Sequence, residues 1–240
     1  MRRRNGMTVE DCSRFLERAK TLRRPRQLLE HFASRMREME QAEAQGRGGG
    51  DNLMMTTVPL QGDVAGGGGT DPLLMFCTQC ASNGPEGTAR GFFASPPEQI
   101  VMCANRLHDE SEIEETLVHE LVHAVDYCTR GIDLAVCEDL ACSEVRAARE
   151  AECSESTYLR AFPIPDVARN YLHKRCTRLH ATSATRAMFP ARAESCIEAA
   201  FDRCFNDHVP FREGTYAGEY RNQDISTGAT EVGSSELKEE

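Results

Sequence analysis

The sequence predicts an α+β fold in which a small sheet stands beside one long helix, with disulfide-tethered helices after it. Three observations point there. Residues 88–106 read as a β-hairpin, Gly91-Phe92-Phe93-Ala94 and Gln99-Ile100-Val101-Met102-Cys103 flanking a turn that holds Pro96-Pro97. Directly after it, Ile113, Leu117, Leu121 and Val125 step by four with Val118 and Val122 beside them, a continuous apolar stripe on a helix. Eleven cysteines then run through the chain, an odd number that leaves one over if the rest pair.

In chain order, residues 1–45 form an N-terminal helical segment. Phe15, Leu16, Leu22, Leu28, Leu29, Phe32 and Met36 recur at helical spacing, with a break near Pro25. Residues 46–72 are a Gly-rich linker or insertion, marked by Gly48-Gly49-Gly50 and Gly66-Gly67-Gly68-Gly69 and too poor in apolar residues to pack. The main domain covers 73–214. Its strongest helix has a capping box at Ser111 and Glu114, acidic residues at its positive end, and Gly131 past its C-terminus. Further helices are expected over about 138–150 and 192–206. Residues 215–240 make a polar tail.

Charge and composition exclude several functions. With 28 Lys plus Arg against 38 Asp plus Glu, the net charge is −10, so no nucleic acid is expected as partner. The charge is uneven: residues 1–50 carry 12 basic and 7 acidic side chains, which suits either a solvated helix face or contact with an anionic membrane surface. No run approaches the roughly 18 apolar residues of a membrane-spanning helix. Only one CxxC exists, Cys77 and Cys80, so a four-cysteine zinc ribbon has no second pair. Disulfides in an oxidising compartment account better for the cysteines. Yet the opening Met1–Met7 has no apolar stretch after its charges, unlike a secretory leader.

The chemistry sits on the capped helix, in His119-Glu120-Leu121-Val122-His123. Histidines at i and i+4 stand one above the other on a helix, about 5–6 Å apart at Cβ, so both imidazoles can meet one Zn²⁺. Glu120, rotated by about 100° from His119, can reach a water on the metal without ligating it and act as the catalytic base. The alternative is a chance match, but apolar flanks place both imidazoles near a core, where an unpaired ring is costly.

A catalytic zinc needs a third protein ligand. The metzincin pattern fails, because Asp126 and Thr129 stand where its Gly and third ligand would be. The gluzincin solution takes a Glu from a following helix, and Glu144 is the candidate: it lies four residues from both Leu140 and Ala148 and so points inward with them. A buried pair with Arg146 or Arg149 is the competing reading. Asp126, three residues beyond His123, is expected to orient a ligand imidazole or to replace Glu144 as ligand. His108, just before the helix, is a candidate for oxyanion stabilisation or a plain surface histidine.

These residues carry a family resemblance. Val118 to Ala124, Asp126 and Cys128, and Leu140-Ala141-Cys142-Ser143-Glu144-Val145-Arg146-Ala147-Ala148 resemble the mitochondrial Atp-twenty-three metalloproteases. So do Cys77 and Cys80, Ile100 to Cys103 with Asn105 and His108, and Cys204 to Phe211, a match over about 75–212. The resemblance implies a peptidase with one Zn²⁺, a zincin-like (gluzincin-type) fold, and His119, His123 and Glu120 as zinc ligands and catalytic base. It further implies the intermembrane space, peripheral attachment to the inner membrane, and cysteines oxidised during import. Its implied partners are precursor polypeptides, above all the ATP synthase proton-channel subunit, which family members process and help assemble. A non-proteolytic assembly chaperone or a disulfide-rich binding protein of the same compartment is the alternative.

Overall fold

A computed structural model describes residues 6–45, 73–83, 87–154 and 165–211. The Gly-rich segment 46–72 and the tail 215–240 lie outside the described residues, as does the arginine cluster Arg2–Arg4. The elements are α1 (Val9–Thr21), α2 (Arg23–Ala44), β1 (Leu74–Thr78), β2 (Gly91–Ala94), β3 (Gln99–Cys103), a 3₁₀ turn (Ala104–Arg106), α3 (Glu110–Arg130), α4 (Cys137–Glu150), α5 (Asp166–Met188) and α6 (Ala193–Phe205).

The predicted hairpin is present, and β3 is the centre of a three-stranded sheet ordered β1-β3-β2. β2 pairs antiparallel with β3, placing Phe93 opposite Ile100. β1 pairs with β3 in parallel, Cys77 opposite Met102. Because Leu73-Leu74-Met75-Phe76-Cys77 is apolar throughout, sequence alternation is hidden there; in the fold Met75 and Cys77 point inward while Leu74 and Phe76 are exposed.

The N-terminal helix breaks three residues before the predicted point. Leu22 leaves the helix in extended geometry, and Pro25 sits in the first turn of α2, where its missing N–H costs nothing. Leu16, Leu28 and Phe32 bury their side chains in the same core as the apolar stripe of α3 and the inner residues of the sheet. The chain entering α1 is fixed as well: the Met7 N–H donates to Leu107 O at 2.9 Å, and a Cβ on Gly6 would collide with the Asn105 backbone.

On α3 the predicted cap is displaced by two residues. Asp109 is the N-cap and accepts the Glu112 N–H at 3.0 Å, while Glu112 reaches back to the His108 N–H at 2.7 Å. The capping logic is that of a Ser/Glu box, but aspartate wins the cap position over Ser111, whose hydroxyl instead donates to Asp109. Gly131 ends α3 at φ 66°, the left-handed conformation that needs no Cβ.

A helix that the periodicity did not predict, α5, lies against α4 and α6. Its buried positions are Thr177, Ala181 and Thr185, while Val167, Tyr171, Leu172 and Leu179 are exposed. A stripe of small residues carries little apolar signal, so the sequence pattern conceals the packing face. Disulfides join Cys137–Cys196, Cys142–Cys204 and Cys153–Cys176 within this helical half, and Cys12–Cys77 and Cys80–Cys103 around the sheet. Cys128 is unpaired and buried.

Candidate metal centre

His119 and His123 lie one turn apart near the middle of α3, and α4 crosses beside them to present Glu144. The two rings meet edge to face with centroids 4.8 Å apart. Glu144 faces both: Oε2 is 3.4 Å from His119 Nε2, and Oε1 is 3.6 Å from His123 Nε2. A ligating atom from each of the three residues lies within 4.8 Å of the others. The arginines that compete for Glu144 are engaged elsewhere. Arg146 pairs with Asp126, and Arg149 bonds Glu150 at 2.7 Å and the carbonyls that end α6.

Both histidines have their outer nitrogens occupied. His123 Nδ1 bonds Ser143 Oγ at 2.8 Å, and His119 Nδ1 meets both Glu152 oxygens, at 3.0 and 3.2 Å. Each ring is thereby turned so that Nε2 faces Glu144, the orientation a ligand imidazole needs. Sequence reasoning assigned that orienting role to Asp126 and missed Ser143 and Glu152. Asp126, fully buried, instead binds Arg146 and lies 3.4 Å from Arg130. No sequence spacing reveals Glu152, because it lies just beyond the end of α4 and only the turn there brings it back to α3. Ser143, adjacent to Glu144, was within reach of a helical projection. His108 precedes the N-cap of α3, where it is tied to Glu112 at 3.1 Å, away from the His119 and His123 turn.

Glu120 is buried and held by the sheet: the Phe93 N–H of β2 donates to its Oε2 at 2.8 Å. Burial pushes its carboxyl up to about 7, against the opposing pull of His119. Burial likewise lowers His123 to about 4. In His119 the burial penalty is outweighed by Glu152 and Glu144, which hold the ring well above its ordinary value. Glu152 falls to about 2, since His119 overcomes the cost of burying it. The pocket thus concentrates negative charge around two imidazoles and favours a cation.

The residues fit a divalent metal on one further observation. Glu144 Oε2 is buried with only the His119 ring, 3.4 Å away, facing it and no hydrogen bond of ordinary geometry, so a divalent cation between the two imidazoles and this oxygen would complete its bonding. A second group of ligand types, Cys153, Cys176 and His180, also lies within 4.8 Å, but both its sulfurs are spent in a disulfide.

Two helix-borne imidazoles, a carboxylate from the next helix and a separate buried carboxyl held by a strand are the donor set that metal-dependent hydrolases use. The chain belongs to the Peptidase M76 family, whose family model matches residues 54–212. It is 34% identical over 140 residues to the mitochondrial inner membrane protease ATP23 homolog of Danio rerio, covering 56% of this chain and 52% of that protein. The Homo sapiens homolog is 33% identical over 158 residues, 62% of this chain and 61% of the relative. The Xenopus laevis homolog is 33% identical over 137 residues, 56% of each. The chain therefore spans between half and two thirds of the curated relatives it matches. No solved structure matches it.

Proposed function

We propose that this chain is a zinc endopeptidase with a gluzincin-type site, His119, His123 and Glu144 holding one Zn²⁺ and Glu120 serving as general base. The observation that carries the reading is the convergence of the His119 and His123 Nε2 atoms on the under-bonded Glu144 carboxylate. A zinc ion there would supply Lewis acidity to the scissile carbonyl and to the attacking water.

The chain's own residues do the rest. Ser143 and Glu152 orient the imidazoles. The Phe93 N–H fixes Glu120 Oε2, leaving Oε1 to take the proton of the attacking water and return it to the leaving amine. Among the described residues β2 is an edge of the sheet, and although its Phe93 N–H is spent on Glu120, its other outward backbone groups are open to an extended polypeptide.

The names of the relatives support mitochondrial inner membrane association. Among the described residues no helix is long and apolar enough to cross a membrane, which suits peripheral attachment. Five disulfides suit the oxidising intermembrane space. We assign as substrate the precursor of the ATP synthase proton-channel subunit, with an accompanying role in assembly.

The test is metal content and cleavage together. Purified protein is expected to hold one zinc and to lose activity with a chelator. Glu120→Gln should keep the zinc and cut cleavage of a presequence substrate by about 10²–10⁴-fold. Glu144→Ala should weaken zinc far more than Asp126→Asn does. Wild-type cleavage by Glu120→Gln, or purified protein without metal, overturns the reading.

A further inference from the structure

The two candidate ligand histidines are oriented by partners held in different ways. Ser143, the partner of His123, lies inside α4, so the helix backbone fixes it. Glu152, the partner of His119, lies two residues beyond the end of α4 and has no helix to hold it. Its place depends on a short turn, in which the Cys153 N–H donates to Ala148 O at 2.9 Å and the Ser154 N–H to Ala151 O at 3.2 Å.

The neighbouring residue supplies a covalent anchor. Cys153 is 4% exposed and crosslinked to Cys176 of α5, with the Cα atoms 5.8 Å apart. The carboxylate on His119 Nδ1 is therefore one residue from a cystine that pins the turn to α5. Cys176 itself is half-buried, and His180, one turn further along α5, is exposed, so the crosslink lies towards the molecular surface. None of the other four disulfides involves a residue adjacent to one that touches either candidate ligand histidine, except Cys142, which precedes Ser143 from within the already rigid α4.

We propose that Glu152 is a positioning residue for His119 and that the Cys153–Cys176 disulfide is the clamp that keeps it there, so that opening this one crosslink weakens the metal site. A dithiol is the reductant. Two electrons and two protons pass from it to the cystine, leaving Cys153 and Cys176 as thiols and the dithiol as its own disulfide. The turn then loses its tether, Glu152 leaves His119 Nδ1, and the ring is no longer fixed with Nε2 towards Glu144. This inference rests on the zinc-peptidase reading.

Zinc affinity measured by chelator competition on the full chain tests it. Glu152→Gln disturbs neither the crosslink nor a helix, and should weaken zinc by about 10–100-fold. Cys153→Ala with Cys176→Ala, the other four disulfides intact by mass spectrometry, should weaken it to the same extent. Combining all three substitutions should bring no further loss, because the cystine acts through Glu152. The d–d spectrum of the Co²⁺-substituted protein should change alike in both backgrounds, a readout that a general loss of stability would leave in place. Wild-type affinity in Glu152→Gln overturns the positioning role, even if the cystine variant proves unable to fold. Additive losses, or wild-type affinity without the cystine, overturn the clamp. Failure of wild-type protein to bind zinc is a different result, which overturns the zinc-peptidase reading itself.

Discussion

The half of the fold built on the sheet and the half built on α4, α5 and α6 are held together by different means. Around the sheet, large side chains make the core: Leu16, Leu28, Phe32, Ile100, Met102, Leu107, Ile113, Leu117 and Leu121 are all buried in one cluster. In the helical half the buried cluster has twelve members, of which four are alanines and four are cysteines of two disulfides. Little apolar area is left there to stabilise three helices, so covalent links take over. The candidate metal centre lies across the boundary, with imidazoles from α3 on one side and carboxylates from α4 and its exit on the other. Helix docking at that boundary therefore decides whether a site exists at all. A core of large side chains brings α3 into place, while crosslinks and buried arginines bring α4.

The most far-reaching expected effect breaks the boundary itself. Arg146 of α4 is 2% exposed and pairs with the fully buried Asp126 of α3, while also donating to Val209 O at 2.5 Å. Arg146→Ala leaves the buried Asp126 charge with only the longer contact to Arg130 at 3.4 Å and should cost about 3 kcal/mol in chemical denaturation. Removing both charges with Asp126→Leu and Arg146→Met should recover most of that. If the single and double variants are equally unstable, the pair is not what joins the halves.

A more local effect separates the two modes of support. The Cys12–Cys77 bridge closes a span of 65 residues, for which loop closure predicts about 4 kcal/mol, whereas Cys137–Cys196 already ties the helices joined by Cys142–Cys204 and leaves it a loop of about 13 residues, for about 3 kcal/mol. What opens should differ. Without Cys142–Cys204, amide exchange in α6 is expected to accelerate strongly, whereas α1 stays protected without Cys12–Cys77 because Leu16 and its neighbours still pack. Equal loosening of α1 and α6 would erase the distinction drawn between the halves.

The smallest effect concerns pH. Partial burial works against the charge of Asp207, but the Arg130 guanidinium bonded to it at 2.5 Å and the nearby Arg146 outweigh this and hold the carboxyl below its ordinary 3.8. Because the folded value is the lower one, the stabilisation is complete above about 4 and is lost as the pH falls through the folded value. The difference in stability between wild type and Asp207→Asn should be under about 1 kcal/mol at neutral pH, given solvent screening, and should shrink towards zero in acid. A gap that widens in acid would mean that Asp207 serves some purpose other than this ion pair.

Elements whose physics is local are legible in the residue order. The α3 stripe from Ile113 to Val125 has helical period, and His119 and His123 must share its face because i and i+4 always do. The hairpin and the Gly131 stop follow from strand alternation and left-handed geometry in the same way. Glu144 could be projected inward, since α4 has a period of its own. Other features depend on how the elements pack. The packing face of α5 is small residues with no apolar signature, β1 hides its alternation in a uniformly apolar run, and ten cysteines admit many pairings. The exchange of roles between Asp126 and Glu152 has the same origin: Asp126 is near His123 in sequence but is claimed by Arg146, whereas Glu152 is 33 residues from His119 and reaches it only through a turn. Periodicity reports which way a side chain leaves its own helix, and only the docking of one helix on another decides what it meets.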